Sequence, residues 1–325
     1  MIFDKIVGHT SIVKALKEVL HSNRGRAPAF LFSGPSGVGK KLVALAWAQG
    51  LLCKQPNAPC GKCSTCDRIS RSQHPDLLIV SPGESPTLKI EQIRDIQNFI
   101  SLKSYEGAAK VVIIDEAQTM NAQSSNALLK TLEEPPAHCY FILVTSNKGA
   151  LLSTIISRCQ RVFFGSLSTQ ELKKIVPEAP DWALPLAQGR VDAVTKYSDD
   201  SFRKLKSSAF KVFKDIKHTR AFEGFTQMNE LSDERESALF AIQCWGQIIK
   251  SAAALKLGAH PPLSSEEAVT AEELNTVYSP QTLLFLGQKI LKLEQDIQAN
   301  VNKNLAFEKF WIDAKQLAEN EIKHG

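Results

Sequence analysis

The sequence has no long apolar run and no marked imbalance of charge. Its longest aliphatic stretches, such as residues 111–114, are far shorter than the roughly 20 apolar residues that span a bilayer. The first residues lack the basic segment and following apolar run of a secretory leader. We therefore expect a soluble, cytoplasmic chain that is not exported.

Glycine, proline and charged residues are present in ordinary amounts. The 17 glycines and 15 prolines among 325 residues exclude a collagen-like or low-complexity chain, and 43% hydrophobic residues suffice for a packed core. The 39 basic and 34 acidic residues leave a net charge of +5, which permits contact with nucleic acid without arguing for it. At about 150 residues per domain, this length predicts two domains or three small ones.

Cysteine is unusual in its distribution. Four of the 7 cysteines lie close together, at Cys53, Cys60, Cys63 and Cys66. Two Cys-x-x-Cys steps suit a tetrahedral Zn²⁺ held by four thiolates, and because no position is left open the site would be structural. A redox pair is disfavoured by the clustering of four thiols, and an iron–sulfur site by the neighbouring proline and glycine. The remaining cysteines are isolated and are expected to be small buried hydrophobes: Cys139, Cys159 and Cys244.

Up to about residue 165, short apolar runs alternate with amphipathic stretches at helical spacing. The predicted strands are 29–32, 77–80, 111–114 and 140–144. The predicted helices are 12–20, 41–52, 90–100 and 124–132. Alternating strands and helices predict an α/β fold, a parallel sheet with helices on both faces.

After residue 164 the strand signals stop. Ser168 and Glu171 form a capping-box pattern at the start of a small helical domain, which we place at 166–201. Residues 202–325 form a third, all-α domain. Its predicted helices are 202–217, 233–257, 280–300 and 305–322, with a break at 258–262.

Residues 34–40, GPSGVGK, lie between a predicted strand and a predicted helix, which is the setting of a phosphate-binding loop. The glycines that would let backbone N–H groups surround phosphate oxygens are Gly34, Gly37 and Gly39. Lys40 would reach the β- and γ-phosphates, but the next residue is Lys41, where the full motif has a hydroxyl that ligates Mg²⁺. ATP binding and a turn that keeps its glycines for backbone geometry both stay open, whereas ATP hydrolysis is disfavoured.

Two carboxylates, Asp115 and Glu116, follow the predicted strand 111–114 directly. In an active ATPase of this type the first would hold magnesium through water and the second would polarise the attacking water. Their order and distance after the phosphate-binding loop indicate shared ancestry with ATPases.

Two further motifs carry a family resemblance. Residues 126–136 (NALLKTLEEPP) and the triplet Ser157-Arg158-Cys159 closely resemble the AAA+ core of sliding-clamp loaders. With the four-cysteine insertion, residues 1–165 resemble a subunit of the bacterial DNA polymerase III clamp loader, and Lys41 makes that subunit resemble a non-hydrolysing one. Residues 302–308 (NKNLAFE) are similar to the last helices of such subunits.

The resemblance implies an AAA+ core, a helical lid and a collar through which five subunits join in a ring. The implied partners are gamma/tau and delta subunits, with the sliding clamp and primed DNA reached through the assembled complex. The chain would belong to a polymerase holoenzyme without holding a polymerase active site. Arg158 would be an arginine finger that neutralises charge on a phosphoryl group in the neighbour's site, the alternative being a pair with a nearby acid.

The resemblance leaves some positions ambiguous. A nucleotide-sensing arginine aligns with either Arg190 or Asp192, and a polar sensor falls at Thr145-Ser146-Asn147, where an ordinary turn is the alternative. The basic residues that would track the phosphate backbone of DNA also fit solvated helix faces: Arg94, Lys103 and Lys110.

Three hypotheses of function follow. The first is a non-hydrolysing clamp-loader subunit that supplies Arg158 to a neighbouring ATPase. The second is an ATPase of gamma/tau type, with magnesium held by Asp115, Glu116 and water despite Lys41. The third is a zinc module that binds nucleic acid beside a relic of a phosphate-binding loop, which leaves residues 126–136 unexplained.

Overall fold

The structure is a computed structural model that describes residues 2–21, 27–83, 85–106, 109–214, 231, 234–259, 265–299 and 301–324. The chain divides into two compact units, Met1–Ile175 with Gly189–Val191, and Val176–Gln188 with Asp192–Gly325. The division into three domains stays a prediction. Parts of the predicted helical region, at 215–217, 233, 260–262 and 300, lie outside the described residues.

Five parallel strands form the sheet of the first unit. They are β1 (Ala29–Ser33), β2 (Leu77–Val80), β3 (Lys110–Ile114), β4 (Cys139–Thr145) and β5 (Gln160–Phe163). Their order in the sheet is β2-β3-β4-β1-β5, and every neighbouring pair is parallel. The predicted parallel α/β fold is confirmed, although β5 was missed because Gln160 and Arg161 are exposed at the edge of the sheet and carry no apolar signal.

Helices connect the strands and cover both faces of the sheet. In the first unit they are α1 (Thr10–His21), α2 (Lys40–Leu52), α3 (Ser64–Ser70), α4 (Ile90–Ser101), α5 (Ala122–Glu133), α6 (Ser153–Ser157) and α7 (Thr169–Ile175). Along β1, Phe30 and Phe32 pack with Trp47 of α2, whereas Leu31 packs on the other face with Leu128 of α5. This alternation buries β1 on both faces and leaves its carboxyl end free to present a loop.

In the later part of the chain, every regular element among the described residues is a helix. Its helices are α8 (Ala183–Leu186), α9 (Val191–Tyr197), α10 (Asp200–Lys214), α11 (Arg235–Lys256), α12 (Ser265–Val277), α13 (Pro280–Gln298) and α14 (Lys303–His324). α11 packs against α10, α12 and α13, and its Trp245 stacks on Phe310 of α14 at 5.3 Å between ring centroids. Among the described helices α11 alone is long and apolar enough to span a membrane by length and composition, a property it shares with buried core helices.

Candidate functional site

The loop after β1 has the backbone of a phosphate-binding loop. Gly37 and Gly39 adopt left-handed conformations, with φ of 69° and 93°, and α2 begins directly after Gly39. Gly34 has φ of 148°, and a Cβ there would lie 2.1 Å from the carbonyl oxygen of Phe164. Because of this close approach, the bend at Gly34 requires a residue without a side chain.

Lys40 is folded into this loop. Its side chain is buried, with the residue 6% exposed, and its Nζ donates hydrogen bonds to the carbonyl oxygens of Gly34, at 2.8 Å, and of Pro35. The ammonium therefore lies beside the loop backbone that would surround a phosphate group.

Lys41 forms an ion pair with Asp115, the carboxylate at the end of β3. The Nζ of Lys41 lies 3.0 Å from Oδ2 of Asp115, and the lysine side chain is half-exposed while the aspartate is mostly buried. The other oxygen, Oδ1, accepts the backbone N–H of Glu116 at 3.1 Å, and Glu116 adopts a left-handed conformation with φ of 51°. The loop fits a phosphate group, but the residues at the magnesium position do not fit Mg²⁺, because a cationic side chain stands where a ligand oxygen is needed.

The predicted polar sensor follows β4. Thr145 is buried and donates its hydroxyl to Oε1 of Gln118 at 2.8 Å, and the same oxygen accepts the backbone N–H of Ser146 at 3.2 Å. The side chain of Asn147 accepts the backbone N–H of Gly149 at 3.0 Å and so caps a short 3-10 helix. Gln118 had no signal in the sequence, since its role arises from a contact between the ends of β3 and β4.

The chain returns to the phosphate-binding loop at Gly189–Val191. The backbone N–H of Val191 donates to the carbonyl oxygen of Gly37 at 2.9 Å, and the carbonyl of Gly189 accepts from Leu167 at 3.3 Å. Of the two aligned sensor positions, Arg190 therefore lies in the segment that contacts the loop. Asp192 belongs to the second unit.

Arg158 lies just after α6 and contacts the end of α5. Its Nη2 donates to Oε1 of Glu133 at 2.6 Å, and its Nη1 donates to the carbonyl oxygen of Thr154 at 3.0 Å. The two motifs that carry the family resemblance therefore meet in space. The pairing with an acid, which was the alternative interpretation of Arg158, is present in this structure.

The four clustered cysteines converge on one point. The sulfur atoms all lie within 4.8 Å of one another, and Sγ of Cys53 is 3.7 Å from Cys60 and 3.9 Å from Cys63. A tetrahedral zinc with Zn–S bonds of about 2.3 Å places its sulfurs about 3.8 Å apart, so the geometry fits this metal. Backbone N–H groups, that of Lys62 first, lower the pKa of Cys60 to about 6, whereas burial raises the pKa of Cys66.

A polar network joins the cysteine segment to the loop after α4. Glu106 accepts a hydrogen bond from Arg68 of α3, and its carboxylate lies 3.6 Å from Nε2 of the buried His74. The carboxylate of Asp76 accepts the backbone N–H groups of Tyr105 at 2.6 Å and Glu106 at 2.8 Å. Sequence reasoning missed this network because its members are separated in the chain and follow no periodic pattern.

The basic residues considered for DNA contact differ in exposure. Arg94 and Lys103 are exposed, and their contact with DNA stays a prediction. Lys110 is 5% exposed, donates to the carbonyl oxygen of Phe99 and lies 4.3 Å from the centroid of the Phe99 ring. The prediction that Lys110 faces DNA is therefore wrong.

The three isolated cysteines, Cys139, Cys159 and Cys244, are buried as predicted, and burial raises the pKa of Cys159 to about 12.

Comparison with known proteins gives one family match, which lies in the first unit, and several similar sequences. A family model described as DNA polymerase III, delta subunit, matches residues 8–168. The DNA polymerase III subunit delta' of Pseudomonas aeruginosa is 35% identical over 178 residues, which are 53% of this chain and 54% of the relative. The match thus spans about half the length of that relative.

Two proteins of Bacillus subtilis are also similar. Its DNA polymerase III subunit delta' is 33% identical over 221 residues, which are 66% of each chain. Its DNA polymerase III subunit tau is 33% identical over 207 residues, which are 62% of this chain and 36% of tau. Among solved structures, a DNA polymerase III gamma subunit-related protein of Thermotoga maritima aligns with a TM-score of 0.45 at 18% identity, over 94% of this chain and 99% of that one.

Proposed function

We propose that this chain, which belongs to the DNA polymerase III clamp-loader family and is of the delta-prime type, is a clamp-loader subunit that does not hydrolyse ATP. In this proposal it activates a neighbouring ATPase subunit through Arg158. The observation that carries the first half of this proposal is the ion pair between Lys41 and Asp115. Hydrolysis by a phosphate-binding loop requires a divalent cation to neutralise the developing charge. Lys41 replaces the hydroxyl that would ligate this cation, and its ammonium occupies the carboxylate of Asp115.

The position of Arg158 supports the second half of the proposal. The Arg158 side chain is 35% exposed, and its Nη1 donates to the carbonyl oxygen of Thr154 in the short helix that precedes it. To reach a phosphoryl group across a subunit interface, the guanidinium would exchange Glu133, a weakly held exposed partner, for two phosphate oxygens, which a planar guanidinium pairs at once.

The remaining elements have structural roles in this proposal. Cys53, Cys60, Cys63 and Cys66 would hold a zinc ion that fixes the segment between α2 and α3, with no open position for catalysis. The all-α region would be the collar that joins gamma/tau and delta subunits in a five-membered ring. The assembled complex, in the cytoplasm, would load the sliding clamp onto primed DNA during replication.

The test is the steady-state ATPase rate of the complex reconstituted with its gamma/tau and delta partners. We expect Arg158→Ala to remove turnover at the one site that it serves, because an arginine finger contributes on the order of 10³-fold or more to phosphoryl transfer. Arg203→Ala, a change of an exposed arginine on α10, is the control and should leave the rate intact. An unchanged rate in the Arg158 variant would refute the proposed finger.

A second candidate, an ATPase of gamma/tau type, is favoured by the similarity to tau and by the two acids after β3. It requires turnover by the isolated chain that Lys40→Ala abolishes.

A further inference from the structure

The magnesium position of this loop already holds a positive charge. The Nζ of Lys41, 3.0 Å from Oδ2 of Asp115, stands between α2 and the end of β3, where a divalent cation would otherwise bridge these elements. The other oxygen of Asp115 accepts the N–H of Glu116. Magnesium would have to displace an ammonium from its own carboxylate, and it would gain no hydroxyl ligand at position 41.

The phosphate side of the same loop is intact. Gly37 and Gly39 have left-handed conformations, which point successive backbone N–H groups toward one anion-binding hollow. The helix α2, which is 13 residues long, adds the positive end of its dipole at the same place. The ammonium of Lys40 is held by backbone carbonyl oxygens of Gly34 and Pro35, which a phosphate oxygen with a full negative charge can replace.

We propose that this loop binds the phosphates of a nucleoside di- or triphosphate without a divalent cation, with Lys41 supplying the charge that Mg²⁺ supplies in hydrolysing relatives. The proposal rests on the proposed function only in taking the site as one that does not turn over. Because the ammonium of Lys41 is half-exposed, exchange of its carboxylate partner, Asp115, for a phosphate oxygen costs little free energy. A single ammonium does not bridge the β- and γ-phosphate oxygens as the metal does, so the charge of phosphoryl transfer is not neutralised and the bound nucleotide stays intact.

The experiment is calorimetric titration of the full chain with ATP and with ADP, once in excess MgCl₂ and once in EDTA at matched ionic strength. We expect the wild-type dissociation constants in the two buffers to agree within about threefold, since the metal adds nothing at the site. Lys41→Thr restores the hydroxyl and frees Asp115, so its affinity should become at least about tenfold higher in MgCl₂ than in EDTA.

Two further variants test the charge itself. Lys41→Met should weaken ATP binding about tenfold in both buffers, because one cation beside the phosphates is lost. Lys14→Met, an exposed lysine on α1, is the matched control and should bind as the wild type does. The thermal midpoint of each variant shows that it is folded.

Three results would overturn the proposal: wild-type binding that requires magnesium, absence of ATP binding by the wild type in either buffer, or an unchanged affinity in Lys41→Met. None of these results touches Arg158, so the role of this chain in activating a neighbour would stand or fall separately.

Discussion

Arg158 and Glu133 are joined by a hydrogen bond of 2.6 Å between Nη2 and Oε1, which links the end of α5 to the residue after α6. Both side chains are partly exposed, at 35% and 49%. An exposed ion pair of this kind contributes about 0 to 1 kcal/mol to stability. The pair therefore orients the guanidinium more than it stabilises the fold.

This relationship predicts different outcomes for the two partners. Glu133→Ala should change the free energy of unfolding by less than about 1 kcal/mol and leave most of the ATPase rate of the reconstituted complex, because the guanidinium is still present. Arg158→Ala should have an equally small effect on unfolding but remove turnover at the neighbouring site. Urea unfolding of the chain and ATPase assays of the complex measure the two effects. Equal losses of ATPase activity in both variants would mean that Arg158 acts through the pair.

The cysteine cluster predicts one zinc ion per chain. Cys63→Ser should lose the metal and lower the thermal midpoint of the first unit, because binding of zinc to the folded state alone adds to its stability. The control is Cys244→Ala, which removes a buried cysteine of the second unit; the chain with this change should still bind one zinc ion. Elemental analysis of the purified chain and differential scanning calorimetry check both results. A full complement of zinc in Cys63→Ser would contradict the proposed ligand set.

Part of this arrangement was accessible from the sequence, because it depends on local patterns. Fully buried strands such as β3 read as continuous apolar runs, and the spacing of the cysteines predicts their convergence. The ion pair of Lys41 with Asp115 and the hydrogen bond of Gln118 with Thr145 were not accessible, because each joins residues far apart in the chain. The strand β5 was not predicted for another reason. It lies at the exposed edge of the sheet, and an edge strand can form without the continuous apolar run that marks a buried strand.

Acid should destabilise the first unit at two steps. Burial lowers the pKa of His74 below its usual value of 6.5, so His74 is protonated more readily in the unfolded chain than in the folded one. Its contribution to the free energy of unfolding is therefore fully present above pH 6.5 and is lost as the pH falls towards the folded pKa. The hydrogen bond from Arg68 lowers the pKa of Glu106 from 4.5, so its contribution, present above pH 4.5, is lost as the pH falls further.

His74→Asn tests the first of these steps. The amide oxygen replaces Nδ1 as acceptor for the backbone N–H of Asp76, and the slope of unfolding free energy against pH just below 6.5 should fall by up to about 1.4 kcal/mol per pH unit. His138→Asn is the control, because His138 is exposed and asparagine tolerates its left-handed backbone. Urea titrations at a series of pH values give the slopes, and identical slopes in wild type and His74→Asn would contradict the assignment.

The second unit contains a buried ion pair, with Nζ of Lys206 lying 3.2 Å from Oε1 of Glu267 and both side chains 5% exposed. The ammonium also lies over the rings of Trp182 and Phe210, at 5.3 and 5.0 Å. Lys206→Met should cost up to about 3 to 5 kcal/mol, because it removes the buried ammonium that pairs with the Glu267 carboxylate, and the double variant with Glu267→Leu should recover part of this loss.

An exposed ion pair in the same unit provides the comparison. Lys289 and Asp313 are 2.7 Å apart with side chains 44% and 25% exposed, so Lys289→Met should cost less than about 1 kcal/mol. Urea unfolding followed by tryptophan fluorescence measures all three variants. Equal losses for the buried and the exposed lysine would mean that burial of the first pair carries no energetic weight.

Gly34 and Gly83 predict opposite responses to the same substitution. A Cβ at Gly34 would lie 2.1 Å from the carbonyl oxygen of Phe164, with φ at 148°, whereas a Cβ at Gly83 meets nothing within 4 Å. Gly34→Ala must therefore shift β1 or the segment after β5, at a cost of at least about 1 to 3 kcal/mol, and should also displace the carbonyl oxygen that holds Lys40. Gly83→Ala should be neutral or slightly stabilising, by up to about 1 kcal/mol, because it lowers the entropy of the unfolded chain. Chemical denaturation of both variants measures the difference in stability, and ATP titration of Gly34→Ala measures the effect on phosphate binding by the loop. A loss of stability at Gly83 as large as that at Gly34 would show that the close approach to Phe164 is not what requires glycine.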